Sequence, residues 1–546
     1  MQLYKQFCTE EFDNDNTLKS FKLKFEDNYN FGYDVLDQMA EKAPNDIALV
    51  WTNPEGEERI FTFADLSRLS NKAANVFLKY GIKKGDRVLL MLKRNYEYWY
   101  IVTALHKLGV VAIPATNMLT AEDISYRVNV ANIKMAVCTP DSDTVENILQ
   151  AKNKENSLKT VFVARKDFDG TVNITKEIES AGAELERVET KATEPMLIYF
   201  TSGTTGYPKA VVHNHIYSLC HIISAKYWQN VKEGGLHFSI AETGWAKASY
   251  GKIYGQWLCG CAVMAFDFEK FSPSKILKVI EKFKVTSFCA PPTAYRYFVK
   301  KGMQMYDLSS LEYLTTAGEA LNPIVAEAVY QQTGLHPMEG YGQSETTLLI
   351  ANLNGTHGKT GSIGKPSPMY DIRLVDSDGN EVKQGETGEI VVIPPKDRKQ
   401  YGIFTNYIGD EQMYQYAWRK GMYHTNDTAY MDEDGYYWYV GRADDLIKTR
   451  GYRVGPFEIE NVLMKHPAVL ECAVIGVPDE SRGQAIKAII KTVDGCDADK
   501  NLVNDIKAFS NKRLASYKWI QYIEFTDEMP KTISGKIKRV ALKANA

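Results

Sequence analysis

The sequence predicts an α/β fold with a large layered N-terminal domain, which has mostly parallel sheets and a β-rich subdomain, and a small α+β C-terminal domain. In the first half, short apolar runs such as residues 87–92 and 110–113 alternate with helical stretches, which is typical of strands buried on both faces. Turn signals at 376–379 and 385–388 then precede the apolar strand 389–393 and indicate the β-rich part.

The C-terminal residues have the pattern of a separate compact domain. After Gly455-Pro456, which is typical of a helix start, a helix, a strand and a second helix are predicted at residues 457–464, 473–476 and 501–514. We place the boundary in the polar segment 441–445, so that the two domains comprise residues 1–443 and 444–546. We expect the smaller domain to move as one body.

The charge balance argues against nucleic acid or a membrane surface as a partner. The 546 residues include 65 Lys and Arg against 68 Asp and Glu, a net charge of -3, so local groups must bind any anionic ligand. The apolar stretch 98–115 is interrupted by His106 and Lys107, so no membrane span is predicted. The first residues resemble neither a secretory signal nor a transit peptide, which predicts a cytoplasmic protein. The sequence does not indicate an oligomeric state.

Two pairs of potential metal ligands are predicted to be structural. Cys259-x-Cys261 and His213-x-His215 each lack a third ligand nearby in the sequence. The other cysteines of the eight are scattered singly, so we expect reduced thiols that fill space in the core.

The strongest functional signal is the loop after the apolar run 197–200. It reads Thr201-Ser202-Gly203-Thr204-Thr205-Gly206-Tyr207-Pro208-Lys209. Its glycines let backbone N–H groups approach a phosphate, its hydroxyls donate further hydrogen bonds, and its lysine supplies positive charge. Pro208 and Ala210 flank the lysine, so the loop does not match the Walker pattern. A flexible surface loop is the plain alternative, but nine residues of this composition predict a polyphosphate site.

With four further segments, this loop resembles the adenylate-forming family of acyl-CoA synthetases, peptide-synthetase adenylation domains and luciferases. The other segments are residues 339–346, 426–427, 441–445 and 530–536, in the family's order. The resemblance extends nearly from end to end and is nearest to medium-chain acyl-CoA synthetases. It implies an ATP-dependent ligase that turns a carboxylic acid into an acyl-adenylate, releases pyrophosphate, and then transfers the acyl group to coenzyme A.

The resemblance also implies the residues of the nucleotide site. Those expected to contact ATP or AMP are Thr201, Ser202, Gly203, Thr204, Thr205, Gly206, Lys209, Gly318, Glu319, Ala320, Glu339, Tyr341, Ser344, Asp427 and Arg442. Within this set, Asp427 and Arg442 would bind the ribose hydroxyls, and Tyr341 would stack on adenine. Glu345 would be a ligand of Mg²⁺, which prefers one or two carboxylates together with phosphate oxygens and water.

The two half-reactions are expected to use different parts of the C-terminal domain. Lys536 would be the catalytic lysine of adenylation, where it bridges a carboxylate and a phosphate that repel each other. For thioester formation, the small domain would rotate about a hinge at Asp444. That rotation would present Gly451, Tyr452 and Arg453 to coenzyme A.

The resemblance places the acyl pocket at Trp245, Gly340 and Gly342. Acetate-specific relatives have tryptophan where Gly342 stands, so a glycine predicts room for a short-to-medium, branched or aromatic acid. The chain departs from the family pattern at Ser344, where threonine is usual, and at Thr347 and Asn426, which replace frequent glycines.

Two other functions remain open from the sequence. An adenylation enzyme that loads a carrier protein in trans would share the first half-reaction, although no carrier region follows Lys536. A non-catalytic nucleotide or acyl sensor on the same fold would be expected to lack Lys536, Glu345 or Asp427, and all three are present.

Overall fold

The chain forms two compact units. The computed structural model describes residues 1–201, 208–319, 321–356, 358–396, 400–450, 452–493, 495–496, 498–531 and 537–544. The first unit comprises the described residues within 1–371 and 394–416, and the second comprises those within 372–393 and 417–544. The domain boundary and hinge at Asp444 stay predictions.

The strands are short, and most of them belong to sheets of four or more strands. They are β1 Cys8–Phe12, β2 Leu18–Leu23, β3 Ile47–Thr52, β4 Glu58–Thr62, β5 Arg87–Met91, β6 Val111–Pro114, β7 Met135–Cys138, β8 Thr160–Val163, β9 Val172–Asn173, β10 Pro195–Thr201, β11 Lys209–Asn214, β12 Leu236–Ser239, β13 Ala262–Phe266, β14 Ser287–Cys289, β15 Tyr313–Ala317, β16 Pro337–Tyr341, β17 Ile350–Ala351, β18 Lys365–Pro366, β19 Asp371–Val375, β20 Gly388–Ile393, β21 Asn406–Ile408, β22 Tyr423–Met431, β23 Tyr437–Arg442, β24 Ile447–Thr449, β25 Tyr452–Val454, β26 Val469–Asp479, β27 Gly483–Thr492 and β28 Tyr522–Phe525.

The helices lie mostly between consecutive parallel strands. They are α1 Gln38–Lys42, α2 Phe63–Lys79, α3 Glu97–Lys107, α4 Ala121–Ala131, α5 Ser142–Lys154, α6 Ile174–Ser180, α7 Ile216–Ile222, α8 Lys247–Gly251, α9 Tyr254–Leu258, α10 Pro273–Phe283, α11 Pro292–Lys301, α12 Pro323–Thr333, α13 Glu411–Ala417, α14 Pro456–Leu463, α15 Lys500–Asn511 and α16 Arg539–Ala544. Two π-helical segments, Gly32–Asp37 and Ile223–Trp228, continue directly into α1 and from α7. Within the described residues, no helix is both long and apolar enough to cross a lipid bilayer.

Two large sheets with parallel centres form the first unit. One has the order β21-β11-β10-β6-β5-β7-β8-β9, and the other has the order β18-β17-β16-β15-β14-β12-β13-β3-β4. Antiparallel pairs occur only toward their edges among the pairs described, as in β10 with β11 and β16 with β17. These sheets confirm the predicted α/β class, with parallel strands at the centre of each.

Both faces of the central strands are buried, as the apolar runs predict. Val88 and Leu90 of β5 belong to one apolar cluster, while Leu89 and Met91, which point the opposite way, belong to another. The first cluster also contains Leu49 of β3, so it joins the two large sheets.

The second unit contains two smaller sheets. A four-stranded sheet has the order β19-β20-β22-β23, and a second sheet has the order β25-β24-β27-β26 with β28 paired to β27. The predicted strand 389–393 is β20, and the predicted helices are α14 and α15, although α15 ends at Asn511 and the predicted strand 473–476 is part of the longer β26.

Glu339 on β16 is a buried carboxylate that joins two segments to the edge of the parallel strands. Its Oε1 accepts a hydrogen bond from the Leu321 amide at 2.9 Å, and its Oε2 accepts one from the Gly361 amide at 3.2 Å. The side chain is only 4% exposed. Burial raises the pKa of the Glu339 carboxyl to about 8, although the two backbone N–H groups act in the opposite direction.

We expect Glu339→Gln to change how stability depends on pH. Because the pKa of Glu339 is raised from 4.5 in the unfolded chain to about 8 in the folded protein, the wild type loses free energy of unfolding as the pH rises through that interval. The amide cannot titrate. The free energy of unfolding of the variant minus that of the wild type, measured by urea denaturation, should therefore rise from about pH 5 to about pH 8. A difference that is constant over this range would contradict the assignment.

Candidate active site

The two ends of the hydroxyl-rich loop are fixed by a strand pair. β10 and β11 run antiparallel, and Thr201 lies opposite Lys209 at the end of the ladder. The predicted phosphate-binding residues Ser202, Gly203, Thr204, Thr205 and Gly206 lie outside the described residues. Thr201 and Lys209 are thus brought together at the place where the loop begins and ends.

Lys209 is linked to Glu345 through an aromatic ring that the sequence analysis did not single out. The Lys209 ammonium lies 5.5 Å from the centre of the Tyr407 ring, and the Tyr407 hydroxyl donates to Glu345 Oε1 at 3.0 Å. β21, which carries Tyr407, pairs with β11 so that Val211 lies opposite Tyr407. One tyrosine therefore has a cation near its ring and a carboxylate at its hydroxyl.

The segment 343–346, which carries Ser344 and Glu345, is held by donors from other parts of the unit. The imidazole Nε2 of His213 lies 2.7 Å from the Ser344 carbonyl oxygen, so it carries the proton and donates. Burial lowers the pKa of His213 to about 4 and keeps the ring neutral near pH 7. The Phe404 amide donates to the Glu345 carbonyl at 2.7 Å.

The two glycines of the predicted acyl pocket are closely packed. A Cβ on Gly340 would lie 2.6 Å from an indole carbon of Trp228, and one on Gly342 would lie 2.6 Å from the Tyr250 hydroxyl and 2.7 Å from the Thr347 carbonyl. The Tyr250 hydroxyl in turn donates to the Thr346 carbonyl at 2.7 Å. The Tyr250 hydroxyl and the Thr347 carbonyl therefore occupy the space beside Gly342, and the acid length predicted from this glycine stays a prediction.

The backbone just before Trp245 and α8 is anchored by a hydrogen bond at Thr243 and by a close contact at Gly244. The Thr243 amide donates to the Lys93 carbonyl at 3.2 Å. A Cβ on Gly244 would lie 2.4 Å from the backbone of Ala115, so only glycine allows this approach. Trp245 itself is half-buried.

The segment predicted to contact adenine begins with a glycine whose backbone conformation is unfavourable for other residues. Gly318 has a φ of +99°, in the left-handed region. Glu319 accepts a hydrogen bond from the Thr293 hydroxyl at 2.6 Å, and the Lys247 ammonium donates to the Ala317 carbonyl at 2.5 Å. The side chain of Tyr341, at the end of β16, is half-buried. Ala320 lies outside the described residues.

In the second unit, Asp427 and Arg442 come from neighbouring strands. They lie opposite each other in the pair β22–β23, with Arg442 Nη1 at 4.0 Å from Asp427 Oδ1. The Tyr439 hydroxyl donates to the same Asp427 oxygen at 3.0 Å. Asp427 is 5% exposed, so its carboxylate is oriented by this tyrosine.

The turn before Asp427 depends on Glu389 of β20. Glu389 Oε1 accepts from the Asn426 amide at 3.0 Å, and its Oε2 accepts from His424 Nδ1 at 3.0 Å and from Arg419 Nη2 at 3.0 Å. Burial opposes the charge, but His424 and Arg419 lower the pKa of Glu389. Asn426 has a φ of +56°, a left-handed conformation that asparagine tolerates better than most residues, which explains how it replaces a glycine.

A second departure from the family pattern, Thr347, also has a structural explanation. Thr347 is fully buried, and its hydroxyl hydrogen-bonds that of Tyr370, while its amide donates to the Gly402 carbonyl at 2.8 Å. The threonine side chain at this position therefore packs in the interior of the first unit. Ser344 contributes its carbonyl oxygen to the His213 contact.

Of the residues predicted for hinge and coenzyme A, Asp444 precedes β24 and Tyr452 begins β25. Asp444 is exposed and accepts from Arg442 Nε at 3.3 Å, and Tyr452 stacks on Tyr517 with ring centres 4.3 Å apart. Gly451 and the side chain of Arg453 lie outside the described part of the chain.

Lys536 also lies outside the described residues, but the residues on either side of its segment are held. Lys531 and Ile537 form an antiparallel bridge. Arg539 Nη2 donates to both oxygens of the buried Glu460, at 2.6 and 2.8 Å, which anchors the chain just beyond the segment.

Glu345 suits Mg²⁺ as a single carboxylate ligand, and not as part of a metal site built only from protein side chains. Among the residues that the structure describes, no group of three or more His, Cys, Asp and Glu side chains could hold a metal ion. Glu345 offers a hard carboxylate that is linked through Tyr407 to Lys209 at the end of the hydroxyl-rich loop, and Mg²⁺ characteristically binds one or two carboxylates and completes its shell with phosphate and water.

Two family models match most of the chain. The model of the AMP-binding enzyme matches residues 36–401, and the model of the AMP-binding enzyme C-terminal domain matches residues 458–536. These regions contain the segments on which the resemblance rests, apart from residues 426–427 and 441–445.

Relatives are similar over almost the whole chain. The chain is 37% identical to acyl-coenzyme A synthetase ACSM3, mitochondrial, of Homo sapiens over 98% of this chain and 92% of that protein. It is 38% identical to 4-hydroxybutyrate--CoA ligase 1 of Metallosphaera sedula over 94% of this chain and 90% of that protein. The crystal structure of the anthranilate CoA ligase AuaEII in complex with anthranoyl-AMP superimposes with a TM-score of 0.87 at 28% identity, over 96% of this chain and 98% of that one. The chain therefore belongs to the AMP-binding enzyme family, in the medium-chain branch of the acyl-CoA synthetases, and is an AMP-forming acyl-CoA ligase that uses ATP and coenzyme A.

Proposed function

We propose that the chain activates a short-to-medium, branched or aromatic carboxylic acid, using the residues of the two units described above. The observation that carries the activation step is the convergence of Lys209, Tyr407 and Glu345 at the end of the hydroxyl-rich loop. Relatives whose names specify 4-hydroxybutyrate and anthranilate support a pocket that accepts acids other than acetate.

In the first half-reaction, the acid's carboxylate attacks the α-phosphorus of ATP, and pyrophosphate leaves. Both reactants are anions, so the protein must neutralise charge and hold the two in line. Lys209 would neutralise the β and γ phosphates, and Glu345 would hold the Mg²⁺ that supplies further positive charge to them. Lys536 would bridge the attacking carboxylate and the α-phosphate.

Ribose recognition is proposed for Asp427 and Arg442. An aspartate can accept hydrogen bonds from two hydroxyls, and Tyr439 orients the carboxylate for this task. Glu389 would not contact the ribose, but would act as a positioning residue for the turn at Asn426.

In the second half-reaction, the coenzyme A thiol attacks the acyl carbonyl carbon, and AMP leaves with the bonding electron pair. Gly451, Tyr452 and Arg453 would contact coenzyme A after a rotation about Asp444. Trp245, Gly340 and Gly342 would line the acyl site, with Tyr250 and Trp228 packed against the two glycines.

A cytoplasmic location is also proposed. It is supported by the described cysteines, all of which are thiols outside disulfides and seven of which are buried, as expected in a reducing compartment. The relatives named as mitochondrial enzymes occupy another such compartment.

Lys536→Ala should separate the two half-reactions. Loss of its charge should lower acyl-adenylate formation from acid and ATP by about a hundredfold or more, as for other groups that stabilise developing charge. Thioester formation from a preformed acyl-adenylate and coenzyme A should continue. Pyrophosphate release and thioester formation measure the two steps, and Lys538→Ala, an exposed lysine nearby, is the matched control. Equal loss of both steps in Lys536→Ala would contradict the division.

Asp427→Asn should weaken recognition of the ribose. Replacing a charged acceptor costs roughly 1.5–3 kcal/mol per hydrogen bond, so kcat/KM for ATP should fall about tenfold to a hundredfold. The preference of the wild type for ATP over deoxy-ATP, which lacks one ribose hydroxyl, should shrink as well. Asp434→Asn, in the exposed turn between β22 and β23, should leave both values unchanged. An unaltered preference in Asp427→Asn would rule out ribose as its ligand.

A further inference from the structure

Four aromatic rings of the first unit pack one against the next, from His213 to Tyr250. The centres of the His213 and Tyr217 rings lie 3.9 Å apart, and the two planes form an angle of 27°. The His221 ring packs edge to face on the Tyr217 ring, with centres 4.6 Å apart, and the Tyr250 ring follows at 4.8 Å from His221. We call these four residues the ring stack.

Both ends of the ring stack hydrogen-bond to the backbone on either side of Glu345. At one end, His213 Nε2 donates to the Ser344 carbonyl at 2.7 Å. At the other end, the Tyr250 hydroxyl donates to the Thr346 carbonyl at 2.7 Å. The two residues that flank Glu345 are therefore held by opposite ends of one continuous group of side chains.

The ring stack is uncharged near pH 7 and keeps both donors. His213, Tyr217 and His221 are each 0% or 1% exposed. Burial lowers the pKa of His213 to about 4 and lowers the pKa of His221 well below its usual range, so both imidazoles are neutral. Burial also raises the pKa of the Tyr250 hydroxyl, which therefore retains the proton that it donates. The hydrogen bonds at the two ends persist across the neutral pH range.

The ring stack begins on the strand that carries the lysine of the hydroxyl-rich loop. Lys209 and His213 both belong to β11, and residues four apart on a strand point to the same side of the sheet. Tyr217 and His221 follow on α7, where residues four apart lie on one face of the helix. The local geometry of β11 and α7 therefore aligns three of the four rings.

Each ring of the stack restricts the rotation of its neighbour. The His213 imidazole bonds the Ser344 carbonyl only while Nε2 faces that oxygen, and the Tyr217 ring, packed on its face, opposes rotation about its terminal torsion angle. The His221 ring restricts the Tyr250 ring in the same way, and with it the hydroxyl. Tyr217 and His221 therefore act on the segment through the donors at the two ends.

We propose that the ring stack positions Glu345 for Mg²⁺ and that Tyr217 and His221 are positioning residues of the nucleotide site. This inference rests on the proposed function, which assigns Mg²⁺ to Glu345. Mg²⁺ demands nearly ideal octahedral geometry, so a small displacement of a ligand weakens its binding. Side chains that orient a metal ligand typically contribute about tenfold to a hundredfold to metal affinity.

The contribution of Mg²⁺ to nucleotide binding tests the proposal on the full-length protein. Calorimetry gives the dissociation constant of α,β-methylene-ATP, an analogue that cannot release pyrophosphate, in EDTA and in Mg²⁺. The ratio of the two constants is the affinity gain from the metal. We expect Tyr217→Leu, which lacks the ring, to lower this gain by about tenfold or more, and Tyr217→Phe, which keeps the ring, to retain it.

Two further variants control for general destabilisation and for misfolding. Phe77→Leu removes an equally buried ring that packs on Phe162 in the first unit, and it should leave the gain from Mg²⁺ unchanged. Tyr250→Phe keeps all four rings and removes only the hydroxyl that holds Thr346, so it should lower the gain. Because neither acid nor coenzyme A is present, changes in the acyl site do not affect this measurement.

Glu345→Gln separates a failure of this inference from a failure of the proposed function. If Glu345→Gln retains the gain from Mg²⁺, the metal role proposed for Glu345 fails, and this inference fails with it. If Glu345→Gln loses the gain but Tyr217→Leu and Tyr250→Phe retain it, only the role of the ring stack is overturned. Tyr250→Phe decides alone if Tyr217→Leu does not fold. An equal loss in Phe77→Leu would also overturn the inference, since it would indicate general destabilisation.

Discussion

The hydrogen bonds that hold segment 343–346 are the constraint on which the nucleotide residues of the first unit depend. The segment follows β16 and pairs through an isolated antiparallel bridge of Thr346 with Ile403, so its other backbone carbonyls need donors from elsewhere. The His213 imidazole, the Tyr250 hydroxyl and the Phe404 amide supply them at Ser344, Thr346 and Glu345. The Tyr407 hydroxyl then fixes the Glu345 carboxylate itself.

In the second unit, the carboxylate of Glu389 likewise holds a proposed nucleotide-binding residue in place. Glu389 accepts hydrogen bonds from Arg419, His424 and the Asn426 amide, and it thereby stabilises the left-handed residue that precedes Asp427. Asp427 is aligned from its other side by Tyr439. In each unit, side chains that have no proposed contact with ATP therefore hold in place a residue that is proposed to contact it.

Local sequence patterns predicted the helices and strands better than they predicted the residues that hold the site in place. Gly455-Pro456 predicts a helix start, and α14 begins at Pro456, because this signal involves only the first residues of the helix. Apolar runs predicted β5 and β20 for the same reason. Tyr407, Tyr439 and Glu389 were not predicted, because each acts on a residue 12 to 62 positions away along the chain and carries no local motif. The motif residues were found through resemblance, and their roles stay predictions.

Acid activation would require positive charge and fixed donors near an anionic nucleotide, which is the role proposed for Lys209, Arg442 and Lys536. The central claim is that an enzyme-bound acyl-adenylate forms before coenzyme A takes part. Exchange of labelled pyrophosphate into ATP, measured with the wild type and a saturating acid but no coenzyme A, tests this most directly. The account predicts exchange that depends on the acid and needs no thiol. Exchange that occurs only when coenzyme A is present would contradict it.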